Sequence, residues 1–142
     1  MIQSTVQGKR VVLVDDSVVR GTTSQRIVKL LREAGAREVH LRLSAPPFTH
    51  PCYFGTDIDS VDKLLAHNHT VAQMQKIIGV DSLGFLNVDY LDKLAEHASC
   101  GFCTACFTGE YPVPPPRRTG KSRFEAPLTP EDSPWEEADH EE

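Results

Sequence analysis

Two adjacent carboxylates, Asp15 and Asp16, close an apolar run and open a short polar loop, Ser17-Val18-Val19-Arg20-Gly21-Thr22-Thr23. Ionised, they can accept hydrogen bonds from neighbouring sugar hydroxyls, or reach a Mg²⁺ ion directly or through its waters. Gly21 permits close backbone approach, and the amides of Ser17 to Thr23 lead into a helix whose positive end favours phosphate. One loop thus has groups for both ends of a ribose 5-phosphate. A strand ending in Asp-Asp-Ser before a helix is also common in α/β proteins, so the chemistry rests on the whole string.

A second group of reactive residues lies in Cys100-Gly101-Phe102-Cys103-Thr104-Ala105-Cys106, with Cys52 remote in sequence but in a proline-rich loop. Thiolates at C-x-x-C spacing can bind one metal centre from a single turn, and soft sulfur suits zinc or an iron–sulfur cluster. Spacing favours metal over inert thiols without choosing the metal.

The elements that position these groups follow from periodicity. Val11-Val12-Leu13-Val14 suits a strand buried on both faces of a parallel sheet, whose carboxyl end is where open α/β sheets bind ligands. Thr22 or Thr23 is expected to cap the next helix, with Ile27, Leu30, Leu31 and Ala34 on one face and Gly35 as its stop. Glu38 to Ser44 alternates with Val39, Leu41 and Leu43 on one side, predicting a second, parallel strand. Pro46, Pro47 and Pro51 then impose an irregular loop. Short helices follow around Val61-Leu64-Leu65 and Val71-Met74-Ile77-Ile78, then a strand at Asp81 to Leu86 and a last helix over Asp89 to His97.

Of the 10 prolines, five fall between Pro112 and Pro127, and the end of the chain is strongly acidic, which predicts a disordered tail over 112–142 behind an ordered portion at 1–111. A net charge of -5 argues against a nucleic-acid partner. No apolar run approaches a membrane span and Met1-Ile2-Gln3-Ser4-Thr5 lacks a signal core, so a cytoplasmic location is expected, where cysteines remain thiols or metal ligands.

The string Val14-Asp15-Asp16-Ser17-Val18-Val19-Arg20-Gly21-Thr22-Thr23 resembles the phosphoribosyl-pyrophosphate (PRPP) signature of type I phosphoribosyltransferases, in the version found in glutamine PRPP amidotransferases. Three further blocks look like that family in order and spacing: Pro51-Cys52-Tyr53-Phe54-Gly55-Thr56-Asp57, Ile78 to Leu86, and Cys103 to Pro112. The resemblance covers roughly residues 6 to 112. It implies an α/β fold: part of a type I phosphoribosyltransferase domain, a parallel sheet flanked by helices, with a short helical C-terminal region. It implies an enzyme of purine biosynthesis, in which ammonia released from glutamine displaces pyrophosphate from C1 of PRPP to give 5-phosphoribosylamine. Asp15 and Asp16 would hold ribose hydroxyls and the Mg²⁺ environment, and Ser17 to Thr23 the 5-phosphate, with no catalytic nucleophile required. Cys52, Cys103 and Cys106 fall on ligand positions of the [4Fe-4S] form of the family, while Cys100 is off the pattern.

The family's glutaminase domain and the earlier strands of its phosphoribosyltransferase sheet have no counterpart in these residues. The chain is therefore expected to be a C-terminal piece, inactive alone and completed by a companion chain, with homo-oligomers expected once completed. Two other functions compete: a non-catalytic PRPP- or nucleotide-binding module, and a small cysteine-ligated metal protein.

Overall fold

The computed structural model describes residues 3–56, 58, 60–95 and 99–115. The tail expected over 112–142 lies outside the described residues from 116 onward, as do Asp57, Asp59 and 96–98. A short helix α1 (Gln3–Val6) precedes strand β1 (Arg10–Asp15), helix α2 (Thr22–Glu33) and strand β2 (Glu38–Leu43). After a long excursion come α3 (Leu65–Asn68), α4 (Val71–Ile78) and strand β3 (Ser82–Phe85), and a final helix α5 (Ala105–Thr108) follows the last cysteines. The three strands form one parallel sheet in the order β1-β2-β3. This is the α/β architecture expected of part of a phosphoribosyltransferase sheet.

Register explains the core. Val11 lies beside Val39 and Leu13 beside Leu41, while Leu41 and Leu43 lie beside Leu83 and Phe85, so one face of the sheet is continuously apolar. That face packs against Val28 and Leu31 of α2 and Met74 and Ile78 of α4, with Val39 and Leu41 fully buried. A smaller second core gathers Phe48, Ile58 and Leu64 beneath the excursion, with Val19, Cys52, Cys106 and Phe107 against it.

Three expectations need correction. β1 is covered on one face only: Val12 and Val14 are 61% and 70% exposed, because both helices lie on the opposite side. Leu30 of α2 is exposed, and the buried stripe runs through Ser24, Val28 and Leu31 instead. The helix expected over Asp89 to His97 is replaced by two tight 3₁₀ turns, Val88–Tyr90 and Asp92–Ala95, with His97 outside the described residues. Among the described residues Tyr90 and Leu94 are exposed there and supply no core face for a longer helix, whose stability depends on such packing.

Local chemistry closes the remaining ends. Gly35, at φ 88°, lets the chain leave α2, its amide bonding Arg32 O while the amide of Ala36 bonds Leu31 O. Arg32 then donates to Asp81 at 2.7 Å, and Asp81 also accepts the Val39 amide at 2.6 Å. That amide first, and then the guanidinium, hold the Asp81 carboxyl below the ordinary value. The end of α2 is thereby tied to the starts of β2 and β3. No helix among the described residues is long and apolar enough to cross a membrane.

Candidate functional site

The loop between β1 and α2 is held by its two valines. Val18 is buried in the main core, Val19 packs against the second core, and the Val19 carbonyl accepts the Leu65 amide at 2.8 Å. With the valines inside, the polar residues on either side of them line the open face of the loop. All residues from Asp15 to Thr23 line one open cleft of about 530 Å³ beyond the carboxyl end of β1. Asp16 donates its amide to Asp15 Oδ1 at 3.0 Å, and Ser17 donates to Asp16 Oδ1 at 2.6 Å, so each carboxylate is steered by the residue that follows it. The hydroxyl of Ser44, at the end of β2, donates to the carbonyls of Asp15 and Asp16 and fixes the backbone beneath the pair.

The start of α2 departs from the sequence expectation. Its N-cap is Gly21, in the left-handed region at φ 79°, and no side chain caps it; neither Thr22 nor Thr23 takes that role. The contrast with α4 is informative. There Thr70 accepts the Gln73 amide and Gln73 returns the bond to the Thr70 amide, a complete capping box. A helix leaves its first amides without intrahelical partners, and at α2 these open onto the cleft beside the two aspartates. No acidic side chain occupies the first turn, so an anionic group there meets positive partial charge without local repulsion.

The cysteines converge in part. Cys52, Cys103 and Cys106 line a second cavity of about 360 Å³ walled by Phe48, Phe107 and Tyr111, whereas Cys100 is exposed and outside its lining. The backbone joins the two distant segments: the amides of Thr49 and His50 both donate to the Cys106 carbonyl at 3.0 Å, and the Tyr111 hydroxyl donates to Pro51 O at 2.8 Å. Phe48 and Phe107 lie 4.9 Å apart and Tyr53 and Tyr111 5.2 Å apart, giving the cavity an aromatic rim. Among the described residues no three of His, Cys, Asp and Glu are gathered tightly enough to hold one metal ion.

Two thiols in this cavity differ in acidity. Burial raises Cys52, but the amides of Phe54, Thr56 and Gly55 outweigh it and bring the thiol below its ordinary value; the Thr56 amide donates to Sγ at 3.3 Å. Burial, and then the charge of Cys52, push Cys106 up to about 11. A thiolate is the nucleophile in alkylation, so Cys52 is expected to alkylate at lower pH than Cys106, which should resist iodoacetamide until well above pH 9. Peptide mass spectrometry across a pH series checks this. Equal rates for the two at pH 8 would contradict the geometry.

Thr56 and Ile58 also line the cleft at the carboxyl end of β1, and sequence reasoning missed both as cleft residues. The loop that carries Cys52 folds back on itself, with the Cys52 amide donating to Ile58 O at 3.0 Å, and so brings Thr56 to the cleft and the thiol cavity alike. A hydroxyl in a loop gives no signal of such a position by itself.

No family model matches the chain. The chain is 51% identical over 116 residues to an amidophosphoribosyltransferase of Bacillus subtilis, a match covering 79% of this chain and 24% of that protein. It is 52% identical over 114 residues to chloroplastic amidophosphoribosyltransferase 1 of Arabidopsis thaliana, covering 80% of this chain and 20% of that one. Among solved structures, glutamine PRPP amidotransferase from B. subtilis complexed with ADP and GMP superposes with a TM-score of 0.75 at 48% identity, covering 84% of this chain and 27% of that chain. A structure described as the allosteric regulatory enzyme of purine biosynthesis gives a TM-score of 0.76, also at 48% identity, covering 84% of this chain and 26% of that one. In sequence and in fold alike, the chain is a relative of the amidophosphoribosyltransferases and spans about a quarter of their length.

Proposed function

We propose that residues 1–111 carry the phosphoribosyl-binding part of an amidophosphoribosyltransferase, the transferase that places glutamine-derived ammonia on C1 of PRPP and releases pyrophosphate in purine biosynthesis. The observation that carries this reading is the cleft itself: two aspartates and the uncapped start of α2 face the same space from one uninterrupted loop. Asp15 and Asp16 accept hydrogen bonds from the ribose hydroxyls, and the amides from Ser17 to Thr23 take the 5-phosphate. A Mg²⁺ ion held through the same carboxylates would neutralise charge on the departing pyrophosphate. The rate enhancement then comes from positioning and from fixed dipoles near C1, since none of the lining side chains is needed as a nucleophile. Ammonia delivery and the glutaminase reaction fall to the parts of the enzyme that the chain does not span. Alone it is expected to be inactive, and homo-oligomers belong to the completed enzyme.

The cysteine cavity supports a second component of the same reading. Cys52, Cys103 and Cys106 supply three thiols around one aromatic-walled space, a soft donor set of the kind that a [4Fe-4S] cluster takes. The fourth ligand lies elsewhere, Cys100 being outside the lining. Such a cluster would cross-link the loop of Cys52 to α5. A cytoplasmic location suits the four free thiols.

The test is a thermal melt with Mg²⁺-PRPP. Ligand that binds only the native state at about 100 times its Kd adds roughly 2.7 kcal/mol, enough to raise the midpoint by several degrees. Asp15→Asn with Asp16→Asn should abolish the rise while leaving the ligand-free melt within a degree or two, as both side chains face the cleft. An unshifted midpoint at millimolar PRPP would remove the PRPP reading and leave the metal protein.

A further inference from the structure

We propose that Ser24, in the first turn of α2 and just beyond the Asp15 to Thr23 string, is a further ligand-binding residue of the cleft, its hydroxyl donating to an oxygen of a phosphate monoester seated at the start of that helix. Ser24 is the only buried polar residue among the described residues, at 3% exposure. Its place on the helix explains the burial. Ser24, Val28 and Leu31 recur at i, i+4 and i+7 on the core-facing side of α2, and the serine is the member of that stripe nearest the cleft, which it helps to line.

A buried hydroxyl is normally paired, in a helix most simply with a carbonyl of the preceding turn. Hydroxyls elsewhere in the chain find such acceptors: Thr108 donates to Thr104 O at 3.2 Å, Thr49 to Phe107 O at 2.7 Å and Ser44 to Asp15 O at 3.3 Å. The Ser24 hydroxyl has no hydrogen-bond partner among the described residues. None of their buried side-chain oxygens is both unpaired and sealed from solvent, so this hydroxyl keeps an opening, and the space that Ser24 lines is the cleft.

The backbone converges on the same place. The first intrahelical bond of α2 runs from the Gln25 amide to Gly21 O at 2.9 Å, so the amides of Thr22, Thr23 and Ser24 precede it without an intrahelical acceptor. Three amides and one hydroxyl, with no acidic side chain in the turn, suit a group that only accepts and has several oxygens, as a phosphate monoester dianion does. Thr22 and Thr23 are exposed whereas Ser24 is not, so its hydroxyl is reached only by an oxygen lying deep in the cleft. The serine thereby sets the depth at which the phosphate seats. The inference rests on the proposed phosphoribosyl reading of the cleft and adds a contact to it.

The experiment compares the full chain with Ser24→Ala and Ser24→Cys in two readouts: the ligand-free melt by circular dichroism, and titration calorimetry with ribose 5-phosphate and with Mg²⁺-PRPP. Ligand-free midpoints are expected within about 2 °C of the parent's or above it, because the substitutions remove a buried hydroxyl that has no partner to lose. Affinity should fall about tenfold or more, the scale of a hydrogen bond to a charged group. The factor should be the same for both ligands, since they share the 5-phosphate. Cysteine fills the space of serine but is only a weak donor, so Ser24→Cys should follow Ser24→Ala and keeps the test alive if the alanine variant packs poorly. Three results would overturn the proposal: both variants melting about 5 °C or more below the parent, which would give the hydroxyl a structural role; unchanged affinity for ribose 5-phosphate; or a loss confined to Mg²⁺-PRPP, which would put the hydroxyl at the pyrophosphate end. A parent that binds neither ligand overturns the phosphoribosyl reading together with this contact, whereas a parent and variants that bind both ligands equally overturn the contact alone.

Discussion

Gly21→Val should lower the melting midpoint of the chain by roughly 10 °C or more and abolish any stabilisation by Mg²⁺-PRPP. Gly21 sits at φ 79° as the N-cap of α2, a conformation that costs an L-residue about 1–2 kcal/mol and a β-branched one more. Space adds to strain. A Cβ at this position would meet Leu65 Cδ2 at 2.8 Å, and Leu65 is itself packed in the main core, so relief requires the core to shift at a typical cost of about 1–3 kcal/mol. Together about 2–5 kcal/mol is expected, and each kcal/mol moves the midpoint of a domain near this size by about 4 °C. The functional loss has a separate origin. Gly21 lines the cleft, and the start of α2 keeps its open amides only while the backbone holds this turn. A variant melting within two degrees of the parent would show that the left-handed turn is not required.

Leu41→Ala is expected to cost about 2–5 kcal/mol, toward the upper end because the site cannot collapse. Leu41 is fully buried on the central strand, between Leu13 and Leu83 in the register, and under the two helices. Parallel neighbours on both sides fix the backbone, so the cavity persists. Domains of this kind have only about 5–15 kcal/mol in total, and a loss of this size places the variant near its midpoint at body temperature. Urea denaturation reads it directly as a fall in the midpoint concentration at unchanged slope. A loss under 1 kcal/mol would mean that the sheet and helices do not unfold as one unit.

The order of strands and of the main helices was readable because each depends on a local pattern. Val39, Leu41 and Leu43 alternate strictly, and Gly35 and Gly79 mark the stops of α2 and α4 where the backbone turns left-handed. The loop from Asp15 to Thr23 was readable as a string, and its residues do line one cleft. What escaped depends on tertiary context. An apolar run such as Val11 to Val14 shows that a strand can be buried on both faces, not that it is; the exposed side of Val12 and Val14 depends on neighbours outside the run. Thr22 and Thr23 look like caps by residue type, yet the left-handed Gly21 is the N-cap and both threonines fall inside the helix, exposed at the cleft. The pattern of Tyr90, Leu91 and Leu94 is helical, but Tyr90 and Leu94 are exposed rather than packed. Thr56 reaches the cleft through the fold-back between Cys52 and Ile58, a pairing with no sequence signature.

The long excursion between β2 and β3 bears on how such a chain can vary over evolutionary time. It runs from Ser44 to Asp81 and holds the second core and one wall of the thiol cavity. The β1–β2 connection runs only from Asp16 to Arg37. The longer connection is less than twice the shorter, and doubling a loop adds only about 0.6 kcal/mol of closure entropy. Loop closure therefore places almost no constraint on the length of this insertion; what it must keep are the core contacts of Met74 and Ile78 and the reach of Leu65 to Val19. The stretch from Phe48 to Ile58 packs in the second core rather than the main one, so it can change over time while the sheet and its main core stay as they are, at the expense of the cleft wall that Thr56 and Ile58 supply.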